Sequence, residues 1–212
     1  MKVSLKPQRK NPERTSVYIN GRYAFSVDKK TLSQLGLYEQ QEISKPEFDK
    51  LFYEAEKQKA KDYAFRLLSY RMRAKKEMEN RLQRKEFSES VISDVITELE
   101  SLGLINDNKF AQAFVSDRLN LSLKGKRLIF AELIKKGVVN QNIKSALNEI
   151  NESQEQEACK RLIQKFENRY RRFSVNEKKQ KLYALLTRRG FSYPIIKEAL
   201  KIEETDEKQN NH

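Results

Sequence analysis

Three groups of cations stand out in the sequence by their number and spacing. The first is Arg71, Arg73, Lys75 and Lys76, the second Arg118, Lys124, Lys126 and Arg127, and the third Arg169, Arg171, Arg172 and Lys178. Guanidinium and ammonium groups at this density bind phosphates or an acidic protein surface. Residues suited to catalysis are scarce. The one histidine is the last residue, His212, and the one cysteine is Cys159. No cysteine or histidine spacing suits zinc. The segment SLKGKRL contains Gly125-Lys126, but a phosphate-binding loop needs a further glycine five residues before Gly125. Position 120 is Asn, and Arg127 stands where Ser or Thr is required. These residues predict a binding protein rather than an enzyme, with no cofactor and no metal.

The composition agrees with that reading. The 212 residues carry a formal charge of +13, with 34 % charged and 38 % hydrophobic residues. Such a chain builds a thin core, which an elongated shape accommodates better than a sphere. The charge grows along the chain, from +2 over residues 1–56 to +7 over 151–202, before an acidic tail at 203–212 that is expected to be disordered. A basic body favours nucleic acid or an acidic protein. One cysteine excludes a disulfide within the chain and fits a reducing compartment. Cys159 is expected to be a half-buried small residue on a helix. No apolar run approaches the ~18 residues of a membrane span, and Met1–Lys10 lacks a signal-peptide core. A soluble cytoplasmic monomer that does not engage membranes is expected.

The cation groups belong to a repeat. LQRKEFSESVISDVI (82–96), LIKKGVVNQNIKSAL (133–147) and LTRRGFSYPIIKEAL (186–200) align without a gap. Leu82, Leu133 and Leu186 coincide, as do Phe87, Val138 and Phe191, and Ile92, Ile143 and Ile196. Each stretch reads as a helix ending in two basic residues, then a left-handed cap at Gly137 or Gly190, then the start of another helix. Glu86 replaces that glycine in the first copy, where a weaker or differently shaped cap is expected. Ser88, Asn140 and Ser192 are the candidate N-caps. A further helix precedes each stretch, over 62–71, 107–119 and 155–170. Its apolar stripe is Phe65 and Leu68, then Phe110 and Phe114, then Leu162 and Phe166. The three cation groups occupy the loops between first and second helices, so stacked repeats would align them along one edge. The basic pairs that end the second helices are explained by capping and receive no function.

The front of the chain differs. Ser44-x-x-Glu47 with Pro46 is a capping box that opens a long helix running to about Tyr70. Asp28 or Thr31 can start a short helix ending at Gly36. In VYINGRYAFSV, Asn20-Gly21 is a two-residue hairpin turn. Simple alternation pairs Tyr18 with Tyr23, puts Phe25 and Val27 on their face, and puts Val17, Ile19 and Ala24 on the other. A two-stranded ribbon is marginal in water, so a third strand near Val3–Lys6 and a covering helix are expected. Such a cap would shield the first helical unit or offer an aromatic face to a partner, and shielding is the simpler reading. The expected fold is mainly α, with three tandem three-helix repeats in an elongated array and a small N-terminal β-hairpin region. The boundaries are 1–43 for the hairpin cap, 44–61 for a connecting helix, 62–103, 104–150 and 151–202 for the repeats, and 203–212 for the tail.

The segments AFRLLSYRMRAKKEMENRLQRKEF (64–87), DNKFAQAFVSDRLNLSLKGKRLIFAELIKKGV (107–138) and LTRRGFSY (186–193) resemble the three successive segments of the RecX family. The middle one is the most specific, through Asp107, Phe110, Ala111, Arg118, Gly125, Glu132-Leu133 and Lys136-Gly137. YINGRYAFSV resembles the family's amino-terminal ribbon more loosely, and Glu86 departs from a position where glycine is common. The resemblance implies a regulatory protein of bacteria: a curved helical array that binds in the groove of the RecA–DNA filament and restrains strand exchange, ATP hydrolysis and co-protease activity. It carries no catalytic residue with it, and the contact candidates remain the twelve cations.

Two rival readings stay open. One is a direct single-stranded nucleic-acid binder, with the basic edge tracking phosphates and Tyr70 or Tyr170 stacking on bases. The other is a helical scaffold for a different acidic protein. On the filament reading, replacing Arg118, Lys124, Lys126 and Arg127 together by Ala weakens filament binding without loss of helix.

Overall fold

The structure is a computed structural model and describes residues 1–201. The expected tail, with His212, and the last residue of the third repeat lie outside the described residues. The described chain contains three strands and ten α-helices and divides into two compact units. One unit comprises residues 1–73 and 77–105, and the other comprises residues 74–76 with the chain from Asn106 onward.

The first unit begins with an antiparallel sheet of β1 (Val3–Pro7), β2 (Arg14–Ile19) and β3 (Arg22–Asp28), in that order. Asn20 and Gly21 both have positive φ, as a two-residue turn of this hand requires. Tyr18 pairs with Tyr23 as expected, but Val17 pairs with Phe25, so Ala24 is an extra residue. This bulge resets the alternation. Phe25 and Val27 therefore join Val17 in the core instead of sharing the face of the tyrosines. Asp28 caps α1 (Lys29–Gln34) by accepting the Thr31 N–H at 2.8 Å.

The helix α2 (Lys45–Leu68) starts at the expected Ser44–Glu47 capping box, worth about 1 kcal/mol. Its first half covers the sheet through Ala55, Phe48 and Leu51. Its second half packs on α3 (Lys75–Gln83) and α4 (Glu89–Ser101) through Ala60 and Ala64, alongside Met78, Leu82 and Val95. One uninterrupted helix thus serves two cores. Phe65 does not belong to the buried stripe and is 39 % exposed. The buried face carries alanines, which let α4 approach closely, and Phe65 points 100° away from Ala64.

The second unit holds α5 (Asp107–Asn120), α6 (Lys126–Lys135), α7 (Asn140–Asn148), α8 (Glu152–Glu167), α9 (Val175–Arg188) and α10 (Tyr193–Leu200). A short 3-10 turn, Asn168–Tyr170, follows α8. Phe110, Phe114, Ile129 and Leu133 share one continuous core with Leu162, Leu186 and Phe191. The second and third repeats therefore bury their apolar faces in common.

The cap residues refine the repeat. Glu86 has φ 61°, close to Gly137 at 79° and Gly190 at 85°. The first copy keeps the left-handed shape despite its side chain, so of the two expected outcomes, a weaker cap or a differently shaped one, the change of shape does not occur. Val139, not Asn140, is the N-cap of α7, because Asn140 already has helical geometry. Ser88 and Ser192 are N-caps, but neither side chain closes a capping bond. A carboxylate from α2 serves α4 instead: the Ser88 N–H and Oγ both donate to Glu56, at 2.7 and 3.1 Å.

Candidate functional site

The twelve cations are not equivalent. Arg71 and Arg73 both pair with Glu77 of α3. Arg73 is only 7 % exposed and also donates from Nε to the Leu67 carbonyl at 3.2 Å. The second group repeats this arrangement, because Arg118 and Lys124 both pair with Glu132 of α6. The Arg118 guanidinium also lies 4.4 Å from the Phe114 ring centroid. Lys126 donates from Nζ to the Ile150 carbonyl at 2.7 Å, and Lys178 pairs with Glu167 at 2.8 Å. Lys75 and Lys76 open α3. The Lys75 N–H donates to Asp107 at 2.8 Å. The recurrence of the groups thus has an internal cause: each holds a carboxylate on a neighbouring helix.

Arg127, Arg169, Arg171 and Arg172 are exposed, and Arg169 sits 5.9 Å from the Phe166 ring. These four offer guanidinium groups to an external anion at the least cost in broken contacts. Of the two tyrosines considered for base stacking, Tyr70 is 79 % exposed. Tyr170 is instead half buried in an aromatic row, 6.3 Å from Phe166 and 6.2 Å from Phe173.

The cations are not all in loops as expected, since Arg118 closes α5, Lys75, Lys76, Lys126 and Arg127 open α3 and α6, and Lys178 lies in α9. Three features that sequence reading missed position these loops and helix ends. In each repeat the first helix donates to a glutamate in or capping the third: Lys61 to Glu98, Gln112 to Glu149 and Gln156 to Glu198. In the first repeat Tyr53 and Lys57 add a second rung on Asp94, at 2.8 and 3.0 Å. Second, the N–H that opens α6, that of Lys126, donates at 3.0 Å to Glu155, a carboxylate only 6 % exposed. The equivalent N–H of α3, that of Lys75, goes to Asp107 in the first turn of α5. Acidic residues 29 and 32 positions downstream are the only trace of these caps in the sequence. Third, α6 starts against the end of α9. Gly125 N–H donates to the Arg189 carbonyl at 2.8 Å and Arg127 N–H to the Gly190 carbonyl at 3.1 Å. A Cβ on Gly125 would stand 2.4 Å from the Gly190 oxygen.

Cys159 is fully buried, and burial first, then the charge of Glu155, pushes its thiol up to about 12. It is less accessible than the half-buried residue expected. Among the described residues no group of acidic, histidine or cysteine side chains is arranged to hold a metal ion, and no helix is long and apolar enough to cross a membrane.

Comparison with known proteins matches four consecutive segments to family models. These are the N-terminal domain of regulatory protein RecX at residues 4–44, and the first, second and third RecX three-helix domains at 60–99, 106–147 and 152–200. The chain belongs to the RecX family. The regulatory protein RecX of Bacillus subtilis (strain 168) is 37 % identical over 199 residues, covering 93 % of this chain and 75 % of that protein. That of Bacillus cytotoxicus is 36 % identical over 214 residues, covering 98 % and 79 %. Among solved structures, the crystal structure of a regulatory protein RecX superposes with a TM-score of 0.70 at 28 % identity, over 95 % of this chain and 99 % of that one. The RecX structure from Lactobacillus salivarius gives 0.63 at 34 % identity, over 69 % and 95 %. The RecX fold, mainly helical with a small N-terminal sheet, is thus the fold of this chain.

Proposed function

We propose that this chain is a non-enzymatic regulator that binds in the groove of RecA–DNA filaments and mostly inhibits recombinase, ATPase and co-protease activities. It acts in the cytoplasm as a monomer, with segments 62–103, 104–150 and 151–202 as its binding modules. The observation that carries the reading is the succession of four RecX segments across residues 4–200, with exposed arginines on the helical ones. Several weak, rigidly spaced contacts sum to useful affinity. Cations steer the encounter with an acidic filament and make it sensitive to salt.

Co-sedimentation with RecA–single-stranded DNA filaments, across a salt series, tests the reading. Binding that weakens with salt, together with slowed strand exchange, is expected. Normal strand exchange at saturating protein would overturn it. The informative variant replaces Arg127, Arg169, Arg171 and Arg172 by Ala. The set Arg118, Lys124, Lys126 and Arg127 is a poorer choice, because three of its members hold Glu132 and the Ile150 carbonyl.

A further inference from the structure

The N-terminal sheet has one face in the core and a second that carries tyrosines and polar residues, among which Ser16 and Ser26 are themselves buried. Contacts within the second face identify its members. Tyr18 and Tyr23 meet edge to face at 5.9 Å between centroids, and the Lys6 ammonium lies 5.1 Å from the Tyr18 ring. Gln8 donates to Ser16 at 3.2 Å, and an Arg14 Nη donates to the Ser26 carbonyl at 3.1 Å. Tyr23 is 58 % exposed. Serines 4, 16 and 26 keep the rest of the face low.

Beyond Arg14 this face opens into a cleft of about 300 Å³ against the second half of α2, lined by Arg14, Lys59, Asp62, Tyr63 and Arg66. Two further contacts set its charge. The Arg66 guanidinium lies 5.4 Å and the Lys85 ammonium 5.8 Å from the centroid of the Tyr63 ring. Three cations, Arg14, Lys59 and Arg66, therefore line one small concavity, and Lys85 adds a fourth near its Tyr63 wall. Among the described residues none of Lys6, Arg14, Lys59, Arg66 or Lys85 is in an ion pair. The single carboxylate there, Asp62, accepts from the Gln58 amide at 2.8 Å. The contrast with the loop cations is plain, since Glu77 and Glu132 each neutralise two of those.

Like charges held together repel, and an anion that joins them relieves the repulsion. Guanidinium groups on a narrow cleft suit the oxygens of a phosphate. Tyr23, exposed and backed by the half-buried Tyr18, suits unpaired bases beside a cationic track, since bases stack on aromatic faces whatever their sequence. We propose that the outer face of the N-terminal sheet and the Arg14–Lys59–Arg66 cleft form a contact site for single-stranded nucleic acid. Backbone phosphates sit in the cleft, and bases lie on Tyr23 and Tyr18. The site differs from the helical-repeat loops and does not rest on the recombinase reading. It gives the sheet a binding role besides covering α2.

The test is fluorescence anisotropy of a labelled single-stranded oligonucleotide with the full chain and no recombinase, over a salt series. Lys59→Gln with Arg66→Gln is the main variant, since neither side chain makes a hydrogen bond that folding would miss. An affinity drop of at least fivefold is expected. The slope of log affinity against log salt should also fall by about 1.4 if two phosphate contacts are lost. Tyr23→Ser should weaken binding several-fold with the slope unchanged. Unaltered affinity and slope in the double variant, with an unchanged melting temperature, would overturn the proposal. Displacement of the oligonucleotide only by stoichiometric inorganic pyrophosphate, with no effect of Tyr23→Ser, would also overturn it and mark a free-anion site. Filament co-sedimentation of the same variants is read separately. Retained filament binding with lost oligonucleotide binding upholds this site and leaves the filament reading intact. Lost filament binding with normal oligonucleotide binding overturns the site alone.

Discussion

Glycine at 125 and at 190 is required by close backbone approach, and at 190 also by conformation. Gly125 has an ordinary φ of −79°, so a side chain is excluded only by close backbone, the Gly190 oxygen and carbonyl carbon and the Phe191 nitrogen, across the α6–α9 junction. Gly190 combines φ 85° with a backbone nitrogen of Leu128 that a Cβ would meet at 2.3 Å. Gly125→Ala should therefore destabilise the fold by at least ~1–3 kcal/mol, through overpacking against backbone that cannot turn aside. Equilibrium denaturation measures it, and an unchanged midpoint would show that the junction yields. Gly137→Val combines a φ of 79° with the Lys76 side chain at 2.4 Å from a Cβ, and should cost ~1 kcal/mol or more. Glu86 gives the opposite sign. Its left-handed backbone strains a residue with a Cβ, so Glu86→Gly should stabilise by about 0.5–1 kcal/mol. Cys159, buried with its thiol raised to about 12, should resist a thiol reagent at neutral pH in the native protein and react once it is unfolded.

At the scale of elements, the contact of α2 with α4 should govern the acid limb of stability. Hydrogen bonds from Lys57 and then Tyr53 hold the Asp94 carboxyl below its ordinary 3.8. The bonds from Ser44 and Ser174 likewise hold Glu47 and Glu177 below 4.5. A carboxyl depressed in the folded state contributes its stability above the unfolded value and loses it as pH falls through the folded one. Stability should therefore be level near neutrality and decline below about pH 4. Asp94→Asn should flatten that decline when denaturation midpoints are compared between pH 5 and 2. An identical pH profile in the variant would show that Asp94 adds nothing to the α2–α4 contact.

At the scale of the molecule, the distribution of cores sets cooperativity. Because α5 to α10 share one core, the second and third repeats should lose hydrogen-exchange protection together. Ile129→Ala, at a fully buried position, should cost ~2–5 kcal/mol and lower protection in α7 and α10 alike. Loss confined to α5–α7 would show that the repeats are energetically separate. The charge of the whole chain adds a functional expectation: affinity for a polyanion should fall steeply with salt.

Periodicity, caps and turn chemistry depend on neighbours a few residues apart, and these were legible in the sequence alone. Leu82, Leu133 and Leu186 marked the same buried position in three repeats, Ser44–Glu47 marked the start of α2, and Asn20-Gly21 marked the hairpin. The resemblance of 64–87 and 107–138 pointed to the RecX family for the same reason. What only the tertiary structure decided concerns groups brought together from far apart. A single bulge at Ala24 moved Phe25 and Val27 into the core, because one inserted residue reverses every side chain after it. Five of the recurring cations became partners of Glu77, Glu132 and Glu167, while Arg14, Lys59 and Arg66 met at one cleft with no ion pair among them. Charge in a sequence is only a count. Whether it is spent on a neighbouring carboxylate or left for a partner depends on distances that the folded chain alone sets.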